Sequence, residues 1–108
     1  MADFKQFLDI DIRAGTIIKV QEFPEARKPA FKLEIDFGNL GNKKSSAQIT
    51  DLYDKKSLIG KQILAVINFP PRQIGPFISE VLTLGVPNKN GHVVLVTPEV
   101  VENGVRLY

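Results

Sequence analysis

Apolar and polar residues alternate along much of this chain, and a period of two is typical of β-strands with one buried face. The clearest run is FKLEIDF at 31–37, in which every second residue is apolar. Further runs predict strands at 12–20, 43–49, 62–68, 79–84 and 92–97. The pattern therefore predicts an all-β domain of about six short strands.

A short segment at the N-terminus carries a helical pattern instead. Phe4, Phe7 and Leu8 have the spacing of one helix face. Asp3 is the predicted N-cap, and the glutamine three residues later completes a capping box. Two phenylalanines on so short a helix need a cover, which either the body of the domain or a second subunit must supply.

A second short helix is predicted between the third and fourth strands. Thr50 is its expected N-cap, Leu58 its last residue and Gly60 its terminator. A small barrel with a helix at this point in the strand order has the pattern of an OB-fold. We therefore expect residues 1–108 to form a single five-stranded OB-fold domain.

Turn residues divide the predicted strands. Gly15 is the expected bulge or bend of the first strand, and the pair Asn90-Gly91 predicts a hairpin. Pro70 and Pro71 must end the fourth strand because neither can donate to a ladder.

The composition excludes several classes of protein. Hydrophobic residues make up 44% of the chain and charged residues 24%, which are ordinary globular values. Without cysteine there is no disulfide framework, thiolate metal site or cysteine nucleophile. No apolar run reaches the roughly 20 residues that span a bilayer. The N-terminus also lacks a signal-peptide pattern, so we expect a cytoplasmic protein without membrane insertion.

Charge is concentrated in the middle third of the chain. Residues 39–72 carry six basic side chains against two acidic ones, a net +4, whereas the whole chain has a net charge of +2. The excess indicates either a solvated lysine face or a surface for an anionic partner.

Catalytic signatures are missing from the pattern. His92 is the single histidine and follows a predicted turn, so it cannot build a multi-ligand metal site. Ser45 and Ser46 have no general base near them in the sequence, and no phosphate-binding loop is present. We predict a protein that is not an enzyme and that has no cofactor or metal.

Three segments indicate binding. The strand at 43–48 presents Lys44, Ser46 and Gln48 on one face, and the other face begins with Lys43. The loop at 70–77 is stiffened by three prolines, and its other candidate residues are Arg72, Ile74 and Phe77. The loop at 25–31 contributes Arg27 and Lys28. Ile74 and Phe77 have an alternative role as a plug for one end of the barrel.

The same segments resemble a known family. The motifs are DIRAGTI at 11–17, EFPEAR at 22–27, IDFG at 35–38, KSSAQIT at 44–50, NFPPR at 68–72 and SEVLTLG at 79–85. Together they resemble the tRNA-binding-domain superfamily, and within it the CsaA family of protein-export chaperones. The resemblance extends from about Phe7 to Pro98.

This resemblance implies an OB-fold homodimer that binds unfolded or signal-bearing preproteins. The helix within 1–10, with Phe4, Phe7 and Leu8, and the tail at 98–108 would form the dimer interface. The resemblance also implies a link to the SecA export motor. In the implied binding surface, apolar pockets are rimmed by basic residues. Its candidate residues are Arg27, Lys28, Lys43, Lys44, Ser46, Gln48, Arg72, Ile74, Phe77 and Ser79.

Binding of tRNA or another structured RNA is the alternative function. Relatives that bind tRNA often carry Ser-x-Gly-Met where this chain has Ser79-Glu80-Val81-Leu82, so only Ser79 matches. Glu80 also adds a negative charge. These departures weigh against RNA, whereas the basic middle third is compatible with it.

Overall fold

The computed structural model describes residues 1–108, and its largest element is a five-stranded antiparallel sheet. The strands of the chain are β1 (Ile12–Glu22), β2 (Phe31–Asp36), β3 (Asn42–Ala47), β4 (Gln62–Val66), β5 (Arg72–Ile74), β6 (Phe77–Ser79), β7 (Leu82–Thr83), β8 (Gly85–Pro87) and β9 (Val93–Leu95). The helices are α1 (Phe4–Leu8), α2 (Lys55–Leu58) and a 3-10 turn at Gly38–Leu40.

The long strand β1 organises the barrel. Its first half pairs with β4 and its second half with β2, which gives the sheet the order β3-β2-β1-β4-β7. The last residues of β6 and the segment that follows them run beside β3 and nearly close the sheet into a barrel. The predicted all-β OB-fold, with short helices before the first and fourth strands, is confirmed.

The core follows the alternation of β2. Leu33, Ile35 and Phe37 are at most 2% exposed, as the period-two pattern predicts. Gly15 lies against this cluster, because a Cβ there would be 2.6 Å from Ile35 Cγ2 and 2.7 Å from the Phe37 ring. The expected bulge at Gly15 is wrong, since the register shifts between Ile17 and Lys19 instead. The glycine is needed for close packing.

Both short helices begin with capping boxes. Asp3 accepts the N–H of Gln6 at 2.9 Å in α1, as predicted. In α2 the cap is Asp54 and not Thr50, so the predicted helix start is four residues too early. The N–H of Ser57 donates to the Asp54 carboxylate at 2.7 Å, and this bond holds the pKa of Asp54 below its ordinary value of 3.8.

The second half of the chain is more divided than its pattern predicts. The predicted strand at 79–84 is interrupted after β6 and resumes as β7, and the one at 62–68 ends at Val66. The hairpin predicted at Asn90-Gly91 is confirmed, because β8 and β9 pair across that turn. The second half of the chain therefore contributes several short strands in place of long continuous ones.

The C-terminal tail completes the edge of β1. Val105 accepts the N–H of Ala14 at 3.0 Å, and Leu107 donates to Ile12 at 2.8 Å. The tail therefore belongs to the barrel of its own chain. Neither helix has the length or the apolar character needed to cross a membrane.

Candidate functional site

A groove of about 1050 Å³ is formed mainly by four segments of the chain. Its walls are the loop 25–30, the end of β3 with residues 46–49, the segment 69–75 and the segment 79–85. Eleven of its 24 lining residues are hydrophobic. This mixture suits a ligand that has both apolar and polar groups.

The β5–β6 hairpin forms one wall of the groove. Gly75, with φ of +57°, begins its two-residue turn. Phe77 packs edge-on against Phe23, with ring centroids 5.4 Å apart, and Lys32 Nζ lies 5.5 Å from the Phe23 ring and 6.0 Å from the Phe77 ring. Phe77 therefore fixes the hairpin to the barrel and does not line the groove.

A further wall is formed where β3 meets residues 79–81, a junction that we call the seam. Side-chain hydrogen bonds hold part of the seam together. Ser79 Oγ accepts the N–H of Ser46 at 3.0 Å. Glu80 Oε1 accepts the N–H of Lys44 at 3.0 Å, and the Glu80 N–H donates to the Lys44 carbonyl at 2.8 Å. Thus Ser79 is a structural link at the edge of the groove.

Most of the predicted site residues meet in this groove. Its lining includes Arg27, Lys28, Ser46, Gln48, Arg72, Ile74 and Ser79. Lys43, Lys44 and Phe77 are not part of the lining. The proposed split of the β3 faces agrees with the burial of Ser45 and Ala47, which point into the barrel.

The charges of the groove are unpaired. Arg27, Lys28 and Arg72 form no ion pair, and neither do the two lining carboxylates, Glu25 and Glu80. The basic excess of the middle third does not gather here, because Lys55, Lys56 and Lys61 belong to α2 and the turn after it. The groove is therefore close to neutral and not strongly cationic.

Sequence reasoning missed the apolar floor. The lining also includes Phe69, Val81, Leu82, Leu84, Val93 and Leu95. Val81 and Leu95 are buried and belong to the core, so the floor is continuous with it. The available signal was the short apolar run after Ser79, but only the pairing of distant segments places it beside the loop at 25–30.

No constellation for catalysis or metal binding is found. No three side chains of His, Asp or Glu lie together in a way that could hold a metal. His92 lies at a hairpin turn, where its backbone N–H donates to the Asn88 side chain at 3.0 Å.

A second surface is formed by α1 and the tail. Phe4 is 72% exposed, Phe7 37% and Leu8 45%, and their chain does not cover them. Arg106 attaches the tail to this helix by donating to the Leu8 carbonyl at 2.6 Å. Arg106 also lies 3.5 Å from the Asp11 carboxylate. The tail is thus joined to the helix that carries the exposed phenylalanines.

Comparisons with known proteins agree with this architecture. The family model described as "Putative tRNA binding domain" matches residues 12–106. The chaperone CsaA of Bacillus anthracis is 52% identical, with a TM-score of 0.94 over 100% of this chain and 99% of that one. The CsaA chaperone of Picrophilus torridus is also 52% identical, with a TM-score of 0.95 over the full length of both chains. This chain belongs to the tRNA-binding-domain family, in its CsaA branch.

The family also includes domains of larger proteins. The methionine–tRNA ligase of Bacteroides fragilis is 32% identical over 96 residues, which are 89% of this chain and 14% of the ligase. The chain therefore spans about one seventh of the length of that relative. The matched part is the tRNA-binding domain and not a catalytic domain. The resemblance of the sequence motifs to the CsaA family is confirmed.

Proposed function

We propose that this chain is a protein-export chaperone that holds unfolded or signal-bearing preprotein segments in the groove. The groove carries the proposal because it joins an apolar floor to three cations without ion partners. Burial of apolar ligand side chains contributes about 25 cal/mol per Å². Signal sequences have apolar segments, so the floor suits them.

The polar residues have separate parts in this proposal. Arg72 and Ile74 lie on the same hairpin, so one presents a cation and the other an apolar wall. The side chain of Gln48 has no hydrogen-bond partner within the chain and is exposed at the groove, where its amide can bond to a peptide backbone. Arg27 and Lys28 lie on the loop 25–30, in another wall of the groove, and attract acidic groups of the ligand. Phe77 acts indirectly, by fixing the hairpin.

Binding of tRNA is the second candidate function, and the family match favours it. The same three cations would contact phosphates. Each phosphate contact makes the slope of log affinity against log salt more negative by about 0.7 to 0.9. Peptide binding that rests mainly on an apolar floor depends much less on salt, which separates the two functions.

The decisive experiment titrates the protein with a labelled signal-sequence peptide and with labelled tRNA, each at low and high salt. We expect peptide binding that persists at high salt and weak tRNA binding. Arg72→Glu should lower peptide affinity by about tenfold, a typical effect of reversing a charge in contact with a ligand. Lys89→Glu is the matched control, because Lys89 is exposed and outside the groove. Unchanged peptide affinity in Arg72→Glu would contradict this placement of the site.

We also propose that the chain forms a homodimer through α1 and the tail. The proposal rests on Phe4 and Phe7, whose ring centroids lie 6.1 Å apart. Both side chains are exposed to solvent in the single chain, and a second subunit would bury them. Sedimentation should give twice the 12.0 kDa of one chain. The double variant Phe4→Ser and Phe7→Ser should sediment with the mass of a single chain. Leu40→Ser is the control and should stay dimeric, because Leu40 is exposed outside α1 and the tail. A wild-type monomer would contradict the dimer.

The proposed function places the chain in the cytoplasm. A contact with the SecA export motor follows from the family resemblance, and co-sedimentation with purified SecA tests it. If the two proteins do not co-sediment with or without a preprotein, the chaperone acts independently of the motor.

A further inference from the structure

The groove is lined by two carboxylates as well as three cations, and hydrogen bonds hold one of the two carboxylates in place. Glu25 lies on a loop and makes no hydrogen bond through its side chain. Glu80 lies on the seam, where Oε1 accepts the N–H of Lys44 at 3.0 Å. The backbone N–H of Glu80 also donates a hydrogen bond to the Lys44 carbonyl at 2.8 Å, which fixes the point where the side chain begins. The position of this negative charge is therefore set by the barrel.

The charge of Glu80 is available to a ligand. None of the cations of the groove forms an ion pair with it, and no group of the chain bonds to Oε2. The residue is only partly buried and belongs to the lining. A ligand that crosses this part of the groove meets one free carboxylate oxygen, an acceptor without a donor.

Peptides and nucleic acids meet this oxygen in opposite ways. An extended peptide has a backbone N–H at almost every residue, and such a donor can bond to Oε2. A nucleic acid carries a phosphate at every nucleotide, and its negative charge is repelled by the carboxylate. One fixed group can therefore favour one class of ligand and disfavour the other, which is how selectivity arises.

We propose that Glu80 is a specificity-determining residue that makes the groove select polypeptide over RNA. The inference rests on the groove being the ligand site proposed above, and it concerns which partner that site accepts. The cations Arg27, Lys28 and Arg72 would attract either ligand. Glu80 then favours the polypeptide, because its charge repels the phosphates of RNA whereas its free oxygen can accept a backbone N–H.

The test is Glu80→Gln, titrated with the labelled peptide and with labelled tRNA at low salt. The amide oxygen can still accept the Lys44 N–H, so the seam is kept, while the charge disappears and a donor faces the groove. We expect tRNA affinity to rise about 3- to 10-fold, the effect of removing a like charge several ångströms from a phosphate in a wet site. Peptide affinity should fall about 2- to 5-fold, since a hydrogen bond is lost.

Two variants serve as controls. Glu99→Gln makes the same change in net charge outside the groove, at an exposed residue without hydrogen bonds or ion pairs, and should change neither affinity. Glu25→Gln removes the other lining carboxylate without touching the seam, and should raise tRNA affinity less than Glu80→Gln. If Glu80→Gln fails to fold, Glu25→Gln still tests the inference. In a groove without charge selectivity, Glu25→Gln would leave the tRNA affinity unchanged.

The outcomes separate this inference from the proposed function. Opposite shifts of the two affinities in Glu80→Gln support the selectivity role. Equal tRNA affinities for Glu80→Gln and Glu99→Gln overturn it, even where the wild type binds peptide well. If the wild type binds no peptide, the chaperone proposal fails, while a rise in tRNA affinity in Glu80→Gln alone would still show that this carboxylate excludes RNA.

Discussion

The two sides of the barrel are held together by different means. Where β1 meets β2 and β4, main-chain ladders join the strands, and Ile35, Phe37 and Ile63 beneath them have no exposed surface. Where β3 meets residues 79–81, two of the bonds need the side chains of Ser79 and Glu80. A ladder forms with almost any side chains, whereas the seam depends on two particular residues. If Glu80 selects the ligand as we propose, closure of the barrel and ligand selection both depend on the seam.

The ladder side should respond most strongly to changes in packing. We expect Gly15→Ala to destabilise the protein by about 2 kcal/mol, because the new methyl group would lie within 3 Å of Ile35 and Phe37. Urea denaturation followed by circular dichroism measures the change. Ligand binding by the folded protein should be unchanged, since none of these three residues lines the groove.

Ile18→Ala provides the control for Gly15→Ala on the same strand. Ile18 is 42% exposed at the register shift of β1, so its loss should cost less than about 0.5 kcal/mol. If the two variants lost similar amounts of unfolding free energy, the core near Gly15 could expand to accept a methyl group. The ladder side would then be less rigid than its contacts indicate.

The barrel was predictable from the sequence because its signals are local. Alternation in 31–37 identifies the buried face of β2, and Asn90-Gly91 locates a hairpin. The bulge was misplaced because a glycine in a strand can serve either a bend or a close contact. The α2 cap was misplaced because both Thr50 and Asp54 are good caps, and only the fold selects between them.

The groove was predictable only in part. Its basic and polar residues stand out in the sequence, and seven of the ten candidates line it. The seam could not be predicted, since the bonds of Ser79 and Glu80 to β3 join residues more than 30 positions apart. The role of Phe77 depends likewise on its contact with Phe23, 54 positions earlier in the sequence. Long-range contacts of this kind leave no periodic signal.

A smaller effect is expected on the seam side, from Ser79→Ala. The substitution removes the acceptor of the Ser46 N–H, and the net cost of such a bond is about 1 kcal/mol in a partly buried site. Ser46→Ala is a matched control for the stability measurement alone, because Ser46 contributes its backbone N–H to the seam while its hydroxyl makes no bond within the chain. Unlike Gly15→Ala, Ser79→Ala should also weaken peptide binding, since the seam is a wall of the groove. If stability fell while peptide affinity stayed the same, closure and ligand binding would be independent, and the contrast between the two sides would concern stability alone.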